Sequence, residues 1–493
     1  MIQLLAAALL ALAPVQVTGG QIAGTQDGDV KVWKGVPFAA PPVGDLRWRS
    51  PQPVVPWQGV RTTQSFSPAC AQTAAWVSEP KSEDCLYLNV WAPEGAKDLP
   101  VLVWFYGGGY YGGTASQPLY DGANLARHGA IVVTLNYRLG IFGFFAHPEL
   151  AAESPHHAAG NQGIEDQIAA LQWVHDNITA FGGDPNRVAI FGNSAGGESV
   201  TLLVASPAAK GLFQRGIAQS GNFALPLDAS ENDHFSRTNA ETRAQTYAEA
   251  AGAPHLSDLR GLSVAALHKL PWYAVPSVDG YVLKEDLTTT YARHHQNDVP
   301  LMVGWTADEG KDLAPELLGT SDFTAANHTA LVTKLLVHAP SPALLAAYPG
   351  ATDAQAKGSI NRLTNDWWGW RMVYWANLQA RHGAAKSYVY HFAHLPAQET
   401  PCYYGCGIGH GAEIQYTFDN LAWSDRAWTA HDRELAVTLA DTWVRFAATG
   451  APGWTEFNGK PDTIHTITTA GDPPVAPLPD FALFQQAPAD NEK

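Results

Sequence analysis

The fold is decided by residues 188–197, which read Val-Ala-Ile-Phe-Gly-Asn-Ser-Ala-Gly-Gly. The first four residues predict a short buried strand, and the pattern Gly-x-Ser-x-Gly follows it at residues 192–196. Small residues on both sides of Ser194 allow the backbones of a strand and a following helix to pass close together. Such a strand-to-helix turn presents the serine hydroxyl at the edge of a sheet, where a substrate can reach it. The sequence therefore predicts that Ser194 is a nucleophile rather than a structural serine.

Apolar runs typical of buried strands alternate with helical stretches on both sides of this turn. Strands separated by helices indicate a mostly parallel sheet that binds ligands at the carboxyl ends of its strands. The helix-rich stretches 222–300 and 311–386 are predicted to be insertions over the sheet rather than separate domains. The predicted strands are residues 101–105, 130–135, 188–191, 216–219, 299–303 and 388–392, and a helix is predicted over residues 163–180.

A serine alcohol is a weak nucleophile, so a base, an acid and hydrogen-bond donors are expected beside it. The donors are predicted in the loop Tyr-Gly-Gly-Gly-Tyr, residues 106–110, which directly follows a strand. Among 18 histidines, His410 stands out because it lies late in the chain in a glycine-lined loop. Asp308 and Glu309 both follow the strand 299–303, and spacing alone leaves both open as the acid. The order serine, acid, histidine is that of the α/β-hydrolase fold, a mostly parallel sheet flanked by helices with helical insertions over the active site.

Further motifs carry a family resemblance over nearly the whole chain, from about residue 15 to residue 484. Together they resemble the type-B carboxylesterases, the family that includes the cholinesterases. The resemblance implies Ser194 as nucleophile, Glu309 rather than Asp308 as acid, and His410 as base. The motifs are Gly-Val-Pro-Phe-Ala at 35–39 with Pro-Val-Gly at 42–44, Ser-Glu-Asp-Cys-Leu-Tyr-Leu-Asn at 82–89, Asn-Tyr-Arg at 136–138, Phe-Gly-Gly-Asp-Pro at 181–185 and Gln-Ser-Gly at 219–221.

The same resemblance implies the oxyanion donors and a disulfide. The donors are the backbone N–H groups of Gly108, Gly109 and Ala195, and Cys70 is expected to pair with Cys85. Cys402 and Cys406 lie so close together that a bond between them would restrain only a local turn, and free thiols are favoured there. The spacing of the four cysteines matches no zinc pattern, and neither a metal nor a cofactor is predicted.

Four residues are predicted to line the substrate pocket. Asn193 stands where the family usually has glutamate, and Tyr110 stands where phenylalanine usually follows the three glycines. Trp76 lies near the position of a tryptophan that faces the choline cation in cholinesterases, and Trp305 follows the strand leading to the acid. Because Asn193 carries no charge, uncharged esters are expected to be preferred over choline esters. Pocket lining is also weighed against core packing for the aromatic residues Trp367, Trp368, Trp370, Tyr403 and Tyr404.

Composition and the amino terminus bound the partners and the compartment. The formal net charge of −16 excludes a nucleic-acid partner, because phosphate binding needs a concentrated basic surface. The apolar run of residues 4–12 is too short to span a bilayer and predicts a secretory signal over residues 1–13. Residues 14–493 are then a single domain that is secreted or periplasmic.

The sequence thus predicts a serine carboxylesterase acting on a small-molecule ester. Hydrolysis of amides or thioesters stays open, since the same tetrahedral chemistry serves all acyl transfers. A non-catalytic adhesion module of the same fold is the alternative outside enzymes. It is disfavoured because Ser194, Glu309, His410 and the glycine loop are all present.

Overall fold

A ten-stranded mixed sheet forms the centre of the protein, for which a computed structural model describes residues 12–223, 235–396 and 407–484. The spatial order of its strands is β10-β9-β8-β7-β6-β4-β5-β3-β2-β1 once they are numbered along the chain. They are β1 (Thr25–Asp27), β2 (Val30–Pro37), β3 (Tyr87–Pro93), β4 (Leu99–Phe105), β5 (Ile131–Leu135), β6 (Gly183–Asn193), β7 (Arg215–Gln219), β8 (Leu301–Thr306), β9 (Ser387–Phe392) and β10 (Ile464–Ile467).

Strands β4 to β10 run parallel to one another, whereas β3, β2 and β1 extend the sheet beyond β5 with antiparallel pairing. Every residue of β5, β8 and β9 is buried. Continuous buried runs of this kind are typical of parallel strands covered on both faces. All six predicted strands are present, although β6 begins five residues earlier than predicted and β8 ends three residues later. The predicted α/β class is confirmed.

Seven helices of nine or more residues lie within the described ranges, around the central sheet. Helices α2, α6 and α7 pack directly on its strands. The seven are α1 (Gln162–Asn177), α2 (Ala195–Ala205), α3 (Arg237–Ala250), α4 (Glu309–Leu318), α5 (His328–Leu336), α6 (Asp353–His382) and α7 (Ala430–Thr449). Shorter helices span Ala123–Arg127, Gly140–Gly143, Pro148–Glu153, Leu256–Gly261, Val264–Leu267, Leu287–Ala292, Pro342–Ala347 and Ile414–Thr417.

In the described part of the chain, two small sheets lie outside the central one. Strands Val15–Val17, Gly20–Ala23 and Val60–Thr62 form the first, and Ala69–Cys70 pairs with Lys81–Ser82 in the second. Within the described ranges, no helix is both long and apolar enough to cross a membrane.

The hydrophobic core extends from the central strands to the segment after the His410 loop, which contains Phe418. Trp104 of β4 is fully buried, and its ring centroid lies 4.8 Å from that of Phe191 in β6. Phe418 makes an edge contact with the same tryptophan at 5.1 Å. Burial of such large rings is the main favourable contribution to folding. This packing fixes β4 and β6, the two strands that lead to the glycine loop and to Ser194.

Candidate active site

Ser194 occupies the sharp turn between β6 and α2. Its backbone lies at φ 57° and ψ −126°, a left-handed conformation that is rare for a residue with a side chain. The Ser194 N–H donates to the carbonyl of Gln219 at 2.9 Å, which ties the turn to the end of β7. A Cβ atom at Gly196 would lie 1.9 Å from the carbonyl oxygen of Phe105. Glycine is therefore required for α2 to start this close to β4.

The glycine loop follows β4 and passes beside Ser194. A Cβ atom at Gly107 would lie 2.9 Å from Cβ of Ser194. Gly108 and Gly109 have φ values of +111° and +58°, which favour glycine. Within the described residues, the N–H groups of Gly108 and Gly109 donate to no other protein group. The N–H of Ala195 lies in the first turn of α2, where helical N–H groups have no acceptor in the helix.

His410 and Glu309 are in direct contact. His410 Nδ1 lies 2.6 Å from Oε2 of Glu309, and this carboxylate is fully buried. The other carboxylate oxygen, Oε1, accepts from the Ser220 hydroxyl at 2.5 Å and from the Thr306 N–H at 2.8 Å. These bonds fix the carboxylate in one orientation.

Asp308, the alternative acid, faces a different environment. Its N–H donates to the carbonyl of Ile408, and burial raises the pKa of its carboxyl to about 6. Asp312, one turn further, accepts from the backbone N–H of His410 at 3.0 Å. Residue spacing left both Asp308 and Glu309 as candidates for the acid. The carboxylate that contacts the His410 ring is that of Glu309.

The electrostatics of His410 follow from these neighbours. Burial alone lowers the pKa of its imidazole, but Glu309, Glu413 and Asp312 together raise it above the ordinary value. Glu413 is also fully buried, and burial raises the pKa of its carboxyl to about 7. The Nε2 atom of His410 is buried and has no hydrogen-bond partner among the described residues. This nitrogen is available to exchange a proton with a group in the cavity.

A cavity of about 1310 Å³ opens above this arrangement. Ser194, Ala195, His410 and the glycine loop line its floor, and aromatic side chains line much of its wall. Of the predicted pocket residues, Trp76 and Tyr110 line the cavity. Trp367, Trp368 and Trp370 of α6 line it as well, whereas Tyr403 and Tyr404 lie outside the described residues.

Two predicted pocket residues are placed in the interior instead. Trp305 is 1% exposed and stacks on His391 at 4.8 Å, because its position in β8 points it into the core. Asn193, the last residue of β6, is 1% exposed. Its side-chain amide donates to the carbonyl of Gln219 at the end of β7. Neither residue is among those that line the cavity.

Glu198 and Arg371 are among the charged residues of the cavity wall that sequence reasoning missed. Glu198 lies one helical turn after Ser194, and residues at this spacing share a helix face. That spacing is a signal that the sequence offered. Asn193 carries no charge, as expected, but Glu198 brings a carboxylate to the cavity wall from the next turn of α2. No sequence signal points to Arg371, which lies far along the chain on α6.

The expected disulfide between Cys70 and Cys85 is confirmed. The loop that it closes is tied to the segment directly after the glycine loop, because Gln72 both donates to and accepts from the backbone of Gly113 at 2.8 and 2.9 Å. Trp76, in the same loop, contacts the Tyr111 ring edge-on at 5.5 Å. Cys402 and Cys406 lie outside the described residues.

The sequence matches a family model described as the carboxylesterase family over residues 12–472. It is 36% identical over 443 residues to the fumonisin B1 esterase of Sphingopyxis macrogoltabida, covering 86% of this chain and 80% of that relative. Over 471 residues it is 35% identical to the para-nitrobenzyl esterase of Bacillus subtilis (strain 168), covering 89% and 90%.

A solved structure of a PNB esterase shares the fold. It superposes with a TM-score of 0.76 at 32% sequence identity, covering 90% of this chain and 93% of that chain.

Proposed function

Because the chain belongs to the carboxylesterase family, we propose that it hydrolyses carboxylic esters through an acyl-enzyme on Ser194, with His410 as base and Glu309 as acid. The family and these relatives make it a carboxylic ester hydrolase, and a small-molecule ester is its substrate. The observation that carries the proposed mechanism is the 2.6 Å contact between His410 Nδ1 and Glu309, with His410 Nε2 unpartnered among the described residues.

In the first half of the reaction, Ser194 Oγ attacks the ester carbonyl while His410 Nε2 accepts the hydroxyl proton. Glu309 holds the proton on Nδ1, which leaves Nε2 as the basic nitrogen. Its negative charge also stabilises the imidazolium that forms. His410 then donates the proton from Nε2 to the departing alkoxide, and the acyl group stays on Ser194.

The tetrahedral intermediate carries negative charge on the former carbonyl oxygen. The backbone N–H groups of Gly108, Gly109 and Ala195 are the proposed donors to this oxygen. In the second half, His410 takes a proton from water, the resulting hydroxide attacks the acyl carbon, and the proton returns to Ser194 as the acid leaves. The net reaction consumes only the ester and water, and Ser194 and His410 are regenerated.

The test combines labelling with a variant. A fluorophosphonate probe should label wild-type protein on Ser194, and Ser194→Ala should lose both the label and nearly all hydrolysis of 4-nitrophenyl butanoate. Alanine fits the turn because its neighbours are already small, so circular dichroism should match the wild type. Retained turnover in a purified Ser194→Ala sample would overturn the mechanism. A matched butanoyl anilide, hydrolysed at a comparable rate, would show an amidase instead.

We also propose that the chain is exported with residues 1–13 removed, leaving residues 14–493 as one domain. The Cys70–Cys85 disulfide supports this, since such bonds persist in oxidising compartments. Amino-terminal sequencing of protein recovered from the periplasm or medium checks it. An uncleaved chain in the cytoplasm would contradict it.

A further inference from the structure

Arg371 places a guanidinium on the wall of the cavity that holds Ser194. The residue is 7% exposed and lies on α6. Its guanidinium carbon lies 4.9 Å from the ring centroid of Trp367 and 4.7 Å from that of Trp368. Trp368 in turn contacts the His410 ring edge-on at 6.0 Å. The aromatic packing holds the cation in a fixed position near the proposed catalytic base.

The hydrogen-bonding capacity of Arg371 is largely unused. Its Nη2 donates to the carbonyl of Asn222. Its Nε is buried and has no hydrogen-bond partner in the described part of the chain. The carboxylate that it approaches is that of Glu198, and the closest N–O distance is 3.6 Å. Charge-assisted bonds from arginine to carboxylate are about 2.7–2.9 Å long, so this contact is not a formed hydrogen bond.

Two other arginines of the same protein show what a completed pair looks like. Arg138 donates from Nε and Nη2 to both oxygens of Asp166 at 2.8 and 2.7 Å. Arg47 binds both oxygens of Glu83 at 2.6 and 2.7 Å. Both pairs are bidentate, and the pair of Arg138 and Asp166 is also fully buried. The pair of Glu198 and Arg371 lacks this geometry and faces the cavity.

We propose that Arg371 is a specificity-determining residue that binds a free carboxylate on the ester substrate, so that the preferred substrates are esters with a second, anionic carboxyl group. This inference rests on the proposed ester hydrolysis at Ser194. The planar fork of a guanidinium matches the two oxygens of a carboxylate. A carboxylate in the cavity would supply the acceptor that Glu198 does not.

A singly charged carboxylate fits the surrounding charges better than a phosphate dianion. The cavity wall also carries the carboxyl groups of Glu79, Glu198 and Glu316. These repel a doubly charged ligand more strongly than a singly charged one. Lys334, the other basic residue on the wall outside the histidines, already donates to the carbonyl of Leu318.

Glu198 makes the strength of this site depend on pH. Burial raises the pKa of its carboxyl to about 7, while Arg371 and His410 favour its ionised form. The ionisable groups facing it from the packed elements are Arg371 on α6, His410, Tyr110 of the glycine loop, Tyr137 and Tyr273. Below this pKa, a neutral Glu198 leaves the Arg371 charge free for a ligand. Above it, the ionised Glu198 competes with the substrate carboxylate.

Two isosteric substrate pairs test the proposal, one for each side of the ester. The first is 4-nitrophenyl hydrogen adipate against its primary amide, and the second is 4-acetoxybenzoate against 4-acetoxybenzamide. The readout is the ratio of kcat/KM for the anionic over the uncharged member. This ratio cancels the common requirement for a neutral His410. In wild type, at least one pair should favour the anion by about tenfold at acidic pH, and the ratio should fall as pH rises through 7.

Arg371→Gln should lower that ratio by about tenfold. Arg381→Gln, the same substitution at an exposed position of α6, is the matched control and should leave the ratio at its wild-type value. Glu198→Gln should raise the ratio at alkaline pH and remove its pH dependence. Glu198→Gln keeps the size of the side chain at the cavity wall, so it remains informative if Arg371→Gln does not fold. Butanoate, a singly charged carboxylate, should inhibit competitively in wild type, more strongly than inorganic phosphate.

The outcomes separate this inference from the proposed function. Wild-type hydrolysis of both members through Ser194, with no anion preference in either pair, would overturn the carboxylate site and leave the esterase mechanism standing. An unchanged ratio in both the Arg371 and Glu198 variants would also overturn it, as would stronger inhibition by phosphate. Hydrolysis of neither member would count against the proposed function itself.

Discussion

At the scale of single residues, the contact between His410 and Glu309 distinguishes Glu309 from Asp308 as the candidate acid. Glu309→Gln should lower kcat for 4-nitrophenyl butanoate by roughly 10³–10⁴-fold, because an amide donor favours the wrong imidazole tautomer. Asp308→Asn should cost much less, since the nearest imidazole contact belongs to Glu309. Steady-state kinetics on both purified variants checks this. A crippled Asp308 variant beside an active Glu309 variant would show that the acid is assigned one position too late.

The raised pKa of His410 predicts the acid limb of the pH profile. As a base, His410 must be neutral, so kcat/KM should be high above its pKa and fall as pH drops through it. Because neighbouring carboxylates raise this pKa, the limb should lie above the ordinary imidazole value of about 6.5. Glu413→Gln removes one of those carboxylates and should move the limb to lower pH while activity at alkaline pH is kept. A limb that stays in place would show that Glu413 is not ionised near His410.

At the scale of elements, the turn at Ser194 depends on glycine for close packing. Gly196→Ala should destabilise the protein by several kcal/mol or prevent folding, because the new Cβ would meet the Phe105 carbonyl at 1.9 Å. Gly358→Ala is the matched control, since this helical glycine of α6 has open space around its Cβ direction. That variant should be more stable by about 0.5–1 kcal/mol, as alanine is favoured in helices. Thermal and urea unfolding of both variants measures the difference, and a tolerated Gly196→Ala would contradict this account of the turn.

The elements that the sequence predicted best are those whose signal is local. The strand before Ser194 follows from an uninterrupted apolar run, and helix α1 follows from a periodic apolar pattern. The glycine loop follows from three consecutive glycines after a strand. Side-chain direction at element ends was harder to predict. Asn193 and Trp305 lie at strand ends, where one residue decides between cavity and core. Arg371 reaches the cavity only because the insertion containing α6 folds over the sheet, and such long-range packing leaves no periodic signature in one sequence.

The charge of the cavity likewise could not be read from the residues next to Ser194. From the sequence, the uncharged Asn193 is expected to set the charge beside Ser194. Its amide instead donates to the Gln219 carbonyl in the interior, so it does not face the cavity. Glu198 supplies a carboxylate from the next turn of α2, and Arg371 approaches it from α6. Discrimination against choline esters, expected from Asn193, now depends on this pair. The prediction of a preference for uncharged over cationic esters stays a prediction with a different physical basis.

At the scale of the whole molecule, His394 ties three distant parts of the chain together. It follows β9, in the segment that leads to His410, and its ring lies between two buried carboxylates. Nε2 lies 2.9 Å from Asp432 in the first turn of α7, and Nδ1 lies 2.9 Å from Asp472 near the carboxyl terminus. Asp432 also accepts from the Tyr416 hydroxyl at 2.7 Å and caps α7 with Thr429. Both ring nitrogens face carboxylates, so the ring bridges the two acids.

This bridge predicts how stability depends on pH. Burial raises the pKa of the Asp432 carboxyl, but bonds from Thr429, His394 and Tyr416 outweigh it and hold the pKa at about 2. A depressed carboxyl pKa contributes stability above the unfolded value of roughly 3.9, and that stability is lost as pH falls toward 2. His394→Gln removes the ring that bridges two buried carboxylates and should destabilise the protein by about 3–5 kcal/mol at neutral pH. The gap in unfolding free energy between the variant and wild type should narrow as pH falls below about 4, because the carboxylates of the variant become protonated first.

His128→Gln is the matched control, since His128 also lies between two carboxylates, those of Asp419 and Asp441, but at the surface. It should cost no more than about 1 kcal/mol. Urea unfolding from pH 3 to 8 measures both, and equal losses for the two variants would show that burial adds nothing to the His394 bridge.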